Sequence, residues 1–574
     1  MGGSTVTELP DRRSCRGGLS DHRFVFASEP MSLERSDSLI LPRGWSDARG
    51  TLGRLGYVGA YLVLGALTLS PLLWAKVPPL VDYPDHLARM WVLLHAKDIP
   101  ALASNYVVDW RLLPNLAMDL IVPALAQFMP LEAAGRVFIA LTMLGLVLAT
   151  ALLHRALHGR VGLLPLASLL FVYNLVLYWG FVNFLFTMVL ALLTFSAWIM
   201  SERRHPLWRA IVFAPPAAVL LIFHLFGFGI YGLLVASYEL AKRRWSRRAI
   251  GTTALLMLQF VPAMLLLMTM RGNGGPGYTR YSLASKPLAA LVPVSFGGPL
   301  ALDWAVLFFA IFFLLYATRA LGFRFAPAMR WPIIVMVIAA VLMPVWLSGS
   351  SAADWRLPAT LPFVVIASLR FDGARPAPVV WFALIALTLL GARIWAVSAS
   401  WRDADRRFAE FRVASQAITE GARLLVVQTP LTPEEAGIDG VPRALAARTD
   451  KEFWHMPTLA IIDRSVSIPY FFTGWTPVRA SPRNADVART QSRLLTPEDL
   501  VESASPDWQP PAAEWPDEMG AMPYWRRWPE KFDFVLWIDF GQRPAPLPDK
   551  LQLVATGSFF KIYRIIRRTG AAAG

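Results

Sequence analysis

Long apolar runs dominate the amino-acid sequence and constrain its fold more than any other feature. Nine runs are close to the roughly 20 residues that an α-helix needs to cross a bilayer. They lie at residues 56–75, 137–153, 161–180, 181–200, 250–269, 303–318, 331–347, 352–369 and 379–398. Of the 574 residues, 55% are hydrophobic and only 17% are charged, which is unusual for a soluble domain. The sequence therefore predicts a polytopic α-helical membrane protein.

The number of membrane helices depends on residues 210–239, a run that is long for one span and short for two. Arg-rich loops lie at 154–160, 201–209, 241–248, 319–330 and 370–376. Cytoplasmic loops carry an excess of Lys and Arg, and all five fall on that side only if 210–239 is a hairpin that turns near His224. This predicts about eleven transmembrane helices, a cytoplasmic N-terminus and an extracytoplasmic C-terminal domain.

The domain organisation follows from shifts in composition. Residues 1–54 are polar and lack periodicity, which predicts a disordered cytoplasmic tail. Residues 55–399 form the multi-span domain, with a first outer loop at 76–136 and a Gly- and Pro-rich mobile loop at 271–302. Residues 400–574 predict an extracytoplasmic α/β domain, with strands at 423–429, 532–540, 551–556 and 558–566 and helix starts at 432–437 and 496–504.

The net charge of +15 does not indicate a nucleic-acid partner, because the Arg residues lie in short loops between apolar runs. The chain has no phosphate-binding loop of the Walker type and no dinucleotide fingerprint. Its one cysteine, Cys15, excludes an intrachain disulfide.

A polar cluster follows the first apolar run, in the stretch "PPLVDYPDHLARMWVLL" at 78–94. Asp82 and His86 are four residues apart, as are Asp85 and Arg89, so each pair faces one side of a helix. The simplest structural interpretation is that Asp82 caps this helix and that Asp85 pairs with Arg89. A cap explains one aspartate but not a cluster of two aspartates and a histidine at the membrane boundary, so we predict a functional site.

The layout of the chain resembles a known family. An uncleaved signal-anchor helix precedes a large outer loop with this acidic motif and an amphipathic stretch at 115–129. Many spans with short cytoplasmic loops, a mobile outer loop and an outer α/β domain follow. From residue 55 to 567 this resembles the GT-C superfamily of membrane glycosyltransferases, which use polyprenyl-linked sugar donors. The motif reads Asp-Tyr-Pro-Asp-His, where protein mannosyltransferase relatives have an adjacent Asp-Glu.

The resemblance implies a reaction and a set of partners. A sugar would pass with inversion from a polyprenyl-linked donor to a lipid, glycan or protein acceptor at the outer face of a plasma membrane, which we expect to be a bacterial inner membrane. Asp82 is the first candidate for the general base and Asp85 the second. His86 would be a helper or a metal ligand, and Arg89 would lie in the substrate site. The resemblance makes no cofactor certain, and a requirement for a divalent cation such as Mg²⁺ or Mn²⁺ stays open.

The leaving group in such a reaction is a lipid phosphate, so cations are expected on the outer face. The candidates are Arg356 in "ADWRLPATLPF", His224 at the hairpin turn, and Arg280 and Lys286 in the Gly-rich loop. Each also has a simpler interpretation: an interfacial anchor for Arg356, a core histidine for His224 and solvated loop charges for the other two. His455 in "FWHMPTLAIIDRSV" could line an acceptor site, although a packed domain histidine is the simpler interpretation.

Two other classes of function compete with the enzyme. A transporter or flippase would be expected to show internal repeats and broken helices, and the sequence has no such repeat. A non-catalytic envelope-assembly protein would keep the layout without the chemistry. Replacing Asp82 and Asp85 with Asn distinguishes these classes, because only the enzyme needs the carboxylates.

Overall fold

The computed structural model describes residues 51–242, 247–270, 278–371, 376–429, 451–473, 476–488, 495–505, 507–509, 523–540 and 548–567. The α-helices are α1 (Thr51–Leu69), α2 (Tyr83–His95), α3 (Pro100–Asn105), α4 (Ala117–Leu125), α5 (Leu131–His158), α6 (Leu175–Tyr178), α7 (Val182–Met200), α8 (Pro206–Phe223), α9 (Leu225–Lys242), α10 (Arg247–Met257), α11 (Val261–Thr269), α12 (Lys286–Leu291), α13 (Leu300–Ala320), α14 (Arg330–Leu342), α15 (Arg356–Ser368), α16 (Pro376–Ala414), α17 (Leu459–Arg464), α18 (Pro497–Glu502) and α19 (Trp528–Lys531). The strands are β1 (Tyr106–Val108), β2 (Phe323–Phe325), β3 (Leu369–Phe371), β4 (Leu424–Gln428), β5 (Val478–Ala480), β6 (Phe534–Ile538), β7 (Leu551–Thr556) and β8 (Phe560–Ile565).

Seven helices of this described part are long and apolar enough to cross a membrane: Leu55–Leu73, Leu131–His158, Val182–Met200, Pro206–Phe223, Ile250–Thr269, Leu300–Ala320 and Pro378–Ala417. Large apolar side chains cover their outward faces, such as Phe308 and Phe312 at 63% and 60% exposure. Lipid solvates such a surface, whereas water would not. The chain is therefore a multi-span membrane protein, and the number of eleven spans stays a prediction.

The predicted span at 161–180 differs from a continuous helix. The chain forms a 3-10 helix at Leu164–Phe171 and then restarts as the four-residue α6. Asn174 causes the restart, because its side chain accepts a hydrogen bond from Leu177 N at 3.0 Å and donates one to Phe171 O at 2.9 Å. A side chain that bonds to its own backbone competes with helix continuation. The break brings residues 178–180 against loop 76–136.

The predicted hairpin at 210–239 is confirmed. Helices α8 and α9 meet at His224, whose Nδ1 accepts a hydrogen bond from Phe226 N at 3.1 Å. A buried salt bridge of 3.0 Å between Arg209 and Glu239 joins the start of α8 to the end of α9, so the two helices are antiparallel. Trp198 at the end of α7 donates to the same carboxylate at 2.9 Å.

The C-terminal region contains a four-stranded sheet with the order β4-β6-β8-β7. Strands β4 and β6 are parallel, and the other neighbours are antiparallel. All four predicted strands are confirmed within their predicted bounds or nearly so, because each run is rich in β-branched and aromatic residues. The predicted helix start at 496–504 is α18, with a capping box between Thr496 and Asp499. The predicted start at 432–437 and the tail before residue 51 lie outside the described residues.

Loop 76–136 and the C-terminal domain lie on one face of the helical part. Strand β1 from the loop pairs antiparallel with β5 from the domain. Helix α16 has 39 residues and is therefore about 58 Å long, well beyond the hydrocarbon core. Near its end, Arg412 contacts Glu132 at the start of α5 at 3.4 Å and Asp463 of the domain at 2.6 Å. The side of the membrane on which this face lies stays a prediction.

The β1–β5 pairing predicts a specific cross-link. Val107 and Arg479 oppose each other in register, and Cα atoms of such antiparallel pairs are about 4.5–5.5 Å apart, a distance that a disulfide spans. In a Cys15→Ser background, Val107→Cys with Arg479→Cys should oxidise to an intramolecular disulfide, detected by mass spectrometry of non-reduced peptides. The control pair Val107→Cys with Leu553→Cys should not form a disulfide, because Leu553 lies in β7 of the four-stranded sheet and not opposite Val107. Equal yields from both pairs would contradict the pairing.

Candidate active site

Backbone pairing fixes the acidic motif in place. Val81 N donates to Tyr178 O at 2.9 Å, and Asp82 N donates to Trp179 O at 3.1 Å. Gly180 follows, with φ +82°, and a Cβ at this position would lie 2.9 Å from Asp82 N. Only glycine tolerates both that conformation and that approach. The break after the 3-10 helix therefore supports the residue that begins the motif.

Asp82 stands at the N-cap position of α2, but its side chain makes no capping hydrogen bond. Its Oδ1 atom lies 3.6 Å from His455 Nε2 instead. The carboxylate is 14% exposed, so it is largely buried yet reaches solvent. The capping interpretation of Asp82 is therefore wrong, and the side chain is directed into a site.

Asp85 lies one turn further along α2 and is completely buried. Its carboxylate accepts a hydrogen bond from Phe472 N at 3.3 Å and lies 3.5 Å from His455 Nδ1. Both partners come from the C-terminal domain. The imidazole of His455 thus lies between the two aspartates of the motif.

Arg89 does not pair with Asp85, which corrects the simplest interpretation of their spacing. Its guanidinium binds both oxygens of Asp119 in α4, at 2.7 and 3.1 Å, and both side chains are 1% exposed. A bidentate partner satisfies the buried charge better than a carboxylate on the same helix could. In place of the predicted substrate contact, Arg89 holds α2 against α4.

His86 is also used within the protein. Its Nδ1 accepts a hydrogen bond from Arg89 Nη1 at 3.0 Å. Burial, followed by the charge of Arg89, lowers the pKa of His86 well below its ordinary value. His86 is therefore neutral and orients Arg89, and the predicted contact with a substrate or a metal stays a prediction.

The carboxyl group of Asp82 has the electrostatics of a proton acceptor. Burial raises its pKa to about 7, and the charge of Asp85 acts in the same direction. The positive charges of His455, Arg356 and Arg89 act in the opposite direction. Burial also raises the pKa of Asp85. A base that titrates near neutrality is well matched to proton transfer at physiological pH.

Arg356 approaches the same site from the membrane helices. It begins α15, is 4% exposed, and lies over the rings of Phe181 and Phe226, each 4.7 Å from the guanidinium carbon. Its Nη1 donates to Ser351 O at 2.7 Å, while its buried Nε has no hydrogen-bond partner among the described residues. Arg356 is close enough to Asp82 for its charge to affect that carboxyl.

His224 lies beside Arg356 and contacts the ring of Phe184 at 5.6 Å. His224 and Arg356 both contact the rings of Phe184 and Phe226, and their roles toward a phosphate stay predictions. Because His224 Nδ1 caps α9, only its other nitrogen can face a substrate.

Three indoles border the site. Trp179 contacts Trp355 and Trp454 edge-on, with ring centroids 5.6 and 5.7 Å apart. The Lys451 ammonium lies 5.4 Å from the ring of Trp179 and 5.2 Å from that of Trp454. Trp179 and Trp454 are both half-buried, so part of each indole reaches the surface near the motif. Flat aromatic surfaces next to a carboxylate suit the apolar face of a sugar ring.

The two candidates from loop 271–302 lie apart from the aspartates. Lys286 binds Asp354 at 3.1 Å, two residues before Arg356. The backbone of Arg280 pairs with Trp346. Residues 271–277 of this loop lie outside the described part. The roles of Arg280 and Lys286 toward a phosphate stay predictions.

The described residues contain no group of three or more His, Cys, Asp or Glu side chains arranged to hold a metal ion. Asp82 and Asp85 do not converge on a common point, because the ring of His455 lies between them. The acidic motif in this arrangement does not fit Mg²⁺ or Mn²⁺, and dependence on a divalent cation stays a prediction.

The sequence does not reveal two of the residues that build this site. From the sequence, the simpler interpretation of His455 is a histidine packed inside the C-terminal domain. Asp119 is one acidic residue within an amphipathic stretch and does not stand out. A signal existed for Asp119, since a carboxylate in an otherwise apolar helix needs a partner when buried. No local pattern could have joined His455 to a motif at the other end of the chain.

Comparisons with known proteins give one kind of match. No family model and no curated protein sequence matches the chain. Among solved structures, the crystal structure of ArnT from Cupriavidus metallidurans in the apo state has a TM-score of 0.43 at 11% identity, covering 89% of this chain and 98% of that one. The crystal structure of the same protein bound to undecaprenyl phosphate has a TM-score of 0.40 at 12% identity, with 90% and 98% coverage. The likeness is one of layout, and the chemistry of the site follows from the residues described above.

The close approach at Gly180 predicts a matched pair of glycine variants. Gly180→Ala must place a Cβ against the backbone of Asp82 and also adopt a positive φ, which by itself costs about 1–3 kcal/mol. Gly159→Ala has the same conformational strain, with φ +74°, but open space around the new Cβ. In detergent, unfolding experiments should show a larger loss of stability for Gly180→Ala. Equal losses would mean that Gly180 does not support the motif.

Proposed function

We propose that this protein is a membrane glycosyltransferase that moves a sugar from a polyprenyl-linked donor to an envelope acceptor at the outer face, with inversion. The observation that carries the proposal is the Asp82 carboxylate, which caps no helix, lies 3.6 Å from His455 Nε2 and feels the charge of Arg356, with three indoles nearby. Such a carboxylate is costly to bury without a task.

Asp82 acts as the general base. It accepts the proton of the acceptor hydroxyl while the acceptor oxygen attacks the anomeric carbon from the face opposite the leaving group. The bond between the anomeric carbon and the phosphate oxygen breaks, and polyprenyl phosphate departs with the electron pair. Each bond that forms is matched by one that breaks, and the configuration at the anomeric carbon inverts. A pKa near 7 supports this role, because the carboxylate can both accept and release a proton.

Arg356 stabilises the departing phosphate. The positive charge lies at the start of α15, which packs against the membrane helix α5, and we place a lipid-anchored phosphate at this helix start. A fork of N–H donors binds phosphate oxygens well, and the buried Nε supplies a donor that no described residue uses. The neighbouring aromatic rings exclude water, which strengthens this interaction in the transition state. His224 supplies a further donor beside Arg356.

The three indoles support a sugar as the transferred group. A pyranose or furanose ring has an apolar face of C–H groups, and Trp is the side chain that covers most of such a face. Trp179 is bonded to the motif through its own carbonyl oxygen, so a ring seated on it would lie next to Asp82. Neither a flippase nor an assembly protein requires a base at this position.

Replacing the base should abolish transfer without unfolding the protein. We expect Asp82→Asn to lower kcat by about 10²–10⁴-fold, because Asn cannot accept the proton. The measurement is transfer of radiolabelled sugar from polyprenyl-linked donors to envelope lipids or glycans by purified protein in nanodiscs. Asp98→Asn, an exposed residue of the same loop, is the matched control and should keep wild-type activity. Full activity of Asp82→Asn would support the transporter or assembly alternatives.

Replacing the phosphate-binding cation should weaken product binding as well as catalysis. We expect Arg356→Gln to reduce kcat by about 10²-fold and to weaken inhibition by undecaprenyl phosphate, because the charged fork is lost. Arg356→Lys should recover only part of the activity, since an ammonium cannot bind two oxygens in one plane. The control is Arg319→Gln, because Arg319 is exposed and lies in the last turn of a different helix, α13. Unchanged inhibition by undecaprenyl phosphate in Arg356→Gln would remove Arg356 from the phosphate site.

A further inference from the structure

Among the described residues, His455 is the one side chain able to carry a positive charge that contacts both Asp82 and Asp85. Its Nε2 lies 3.6 Å from Asp82 Oδ1 and its Nδ1 lies 3.5 Å from Asp85 Oδ2. The ring is held from the sides by Phe472 and Tyr470, at centroid distances of 4.8 and 5.6 Å. The imidazole therefore lies between the two carboxylates at ion-pair distance from each, with one nitrogen on the side of each aspartate.

This arrangement selects one protonation state of the ring. A neutral imidazole has a single N–H and can donate to one carboxylate, whereas an imidazolium has two and can donate to both. Asp85 is completely buried, and its only other described donor is Phe472 N. An unpaired buried carboxylate is strongly unfavourable, so a cation beside Asp85 is required for its ionised form to persist.

We propose that His455 is the positioning residue of this transferase: as an imidazolium it bridges Asp82 and Asp85, and leaves one net negative charge on the pair for the acceptor proton. The inference rests on the proposed function. Asp85 and His455 together neutralise each other, and Asp82 remains the base. His455 also holds the Asp82 carboxylate in one rotamer, because the ring cannot move between its two aromatic neighbours.

The bridge makes the active site a joint product of two distant parts of the chain. His455 directly precedes the 3-10 helix at Met456–Thr458 and then α17, which packs against α2. The β1–β5 pairing and the Phe472 hydrogen bond hold the same two parts together. Docking of the C-terminal domain therefore completes the base, so the membrane part alone would lack it.

The charges around the bridge determine its dependence on pH. Burial acts to lower the pKa of His455, but the neighbouring carboxylates of Asp85 and Asp82 outweigh it and raise that pKa above its ordinary value. The other groups that face the bridge are His86, Arg89, Arg356, Tyr106 and Tyr470.

These groups determine how activity changes on the acid side and on the alkaline side of the pH profile, which we call its acid and alkaline limbs. Below about pH 7, Asp82 takes up a proton and cannot act as a base, so the rate falls as the pH decreases. At high pH His455 loses its proton, one N–H is lost and the rate falls again. Wild-type activity should therefore be bell-shaped in pH.

The test compares His455→Gln with His455→Ala in the full-length protein in nanodiscs. Gln keeps a side chain of similar length without the charge. We expect kcat to fall by about 100-fold in both variants. The KM for the polyprenyl-linked donor should change by less than about threefold, because His455 acts through Asp82 and not on the donor. The acid limb should move to higher pH, since the carboxylate loses its cation, and the alkaline limb should disappear. His95→Gln, at the far end of α2, is the control and should show neither change.

An unchanged kcat and an unchanged pH dependence of activity in His455→Gln would overturn the inference while leaving the transferase proposal intact.

A second measurement does not depend on activity. Thermal unfolding of wild type, His455→Gln, Asp85→Asn and the double variant forms a double-mutant cycle. The two changes should be non-additive near pH 7, where the carboxylates are ionised and His455 is protonated, and nearly additive at alkaline pH, where His455 has lost its proton. Additive effects at both pH values would overturn the bridge, whereas a wild type that transfers no sugar but shows the pH-dependent coupling would overturn only the proposed function.

Discussion

Burial of two carboxylates around a single imidazole is the interaction on which the rest of this structure depends. Asp82 and Asp85 lie at the start of α2, and His455 reaches them from the C-terminal domain. Charges removed from water are tolerated only when their partners are close and correctly oriented. The loop and the domain must therefore meet in one register, and the β1–β5 pairing supplies it. An electrostatic requirement thus determines how the extramembrane parts assemble.

Other contacts of α2 serve the same requirement. The bidentate pair of Arg89 and Asp119 secures the helix to α4, and His86 accepts a further hydrogen bond from Arg89. Arg89 and His86, the two side chains of the motif that follow Asp85, therefore have partners inside the protein. The consequence is a stiff helix start, on which the Asp82 carboxylate has little freedom. A preorganised base of this kind avoids reorganisation during proton transfer.

The membrane helices contribute by where they end or break. The break at Asn174 brings Trp179 and Gly180 to the motif, the hairpin turn brings His224, and the start of α15 brings Arg356. These are all helix ends, where side chains reach the membrane boundary without crossing it. A lipid-anchored phosphate and an envelope acceptor would meet at such a boundary. The position of the site therefore agrees with the two kinds of substrate that we propose.

The sequence by itself determined the membrane class, the break at His224, the strands of the C-terminal sheet and the importance of the cluster at 82–89. These features depend on local composition and period, which a single chain displays directly. Only the tertiary structure decided that Arg89 pairs with Asp119, that Asp82 caps nothing and that His455 joins the site. Spacing along a helix shows which side chains share a face, but a buried charge takes the partner that best satisfies it. That partner is found by packing distant segments together, and no local pattern records it.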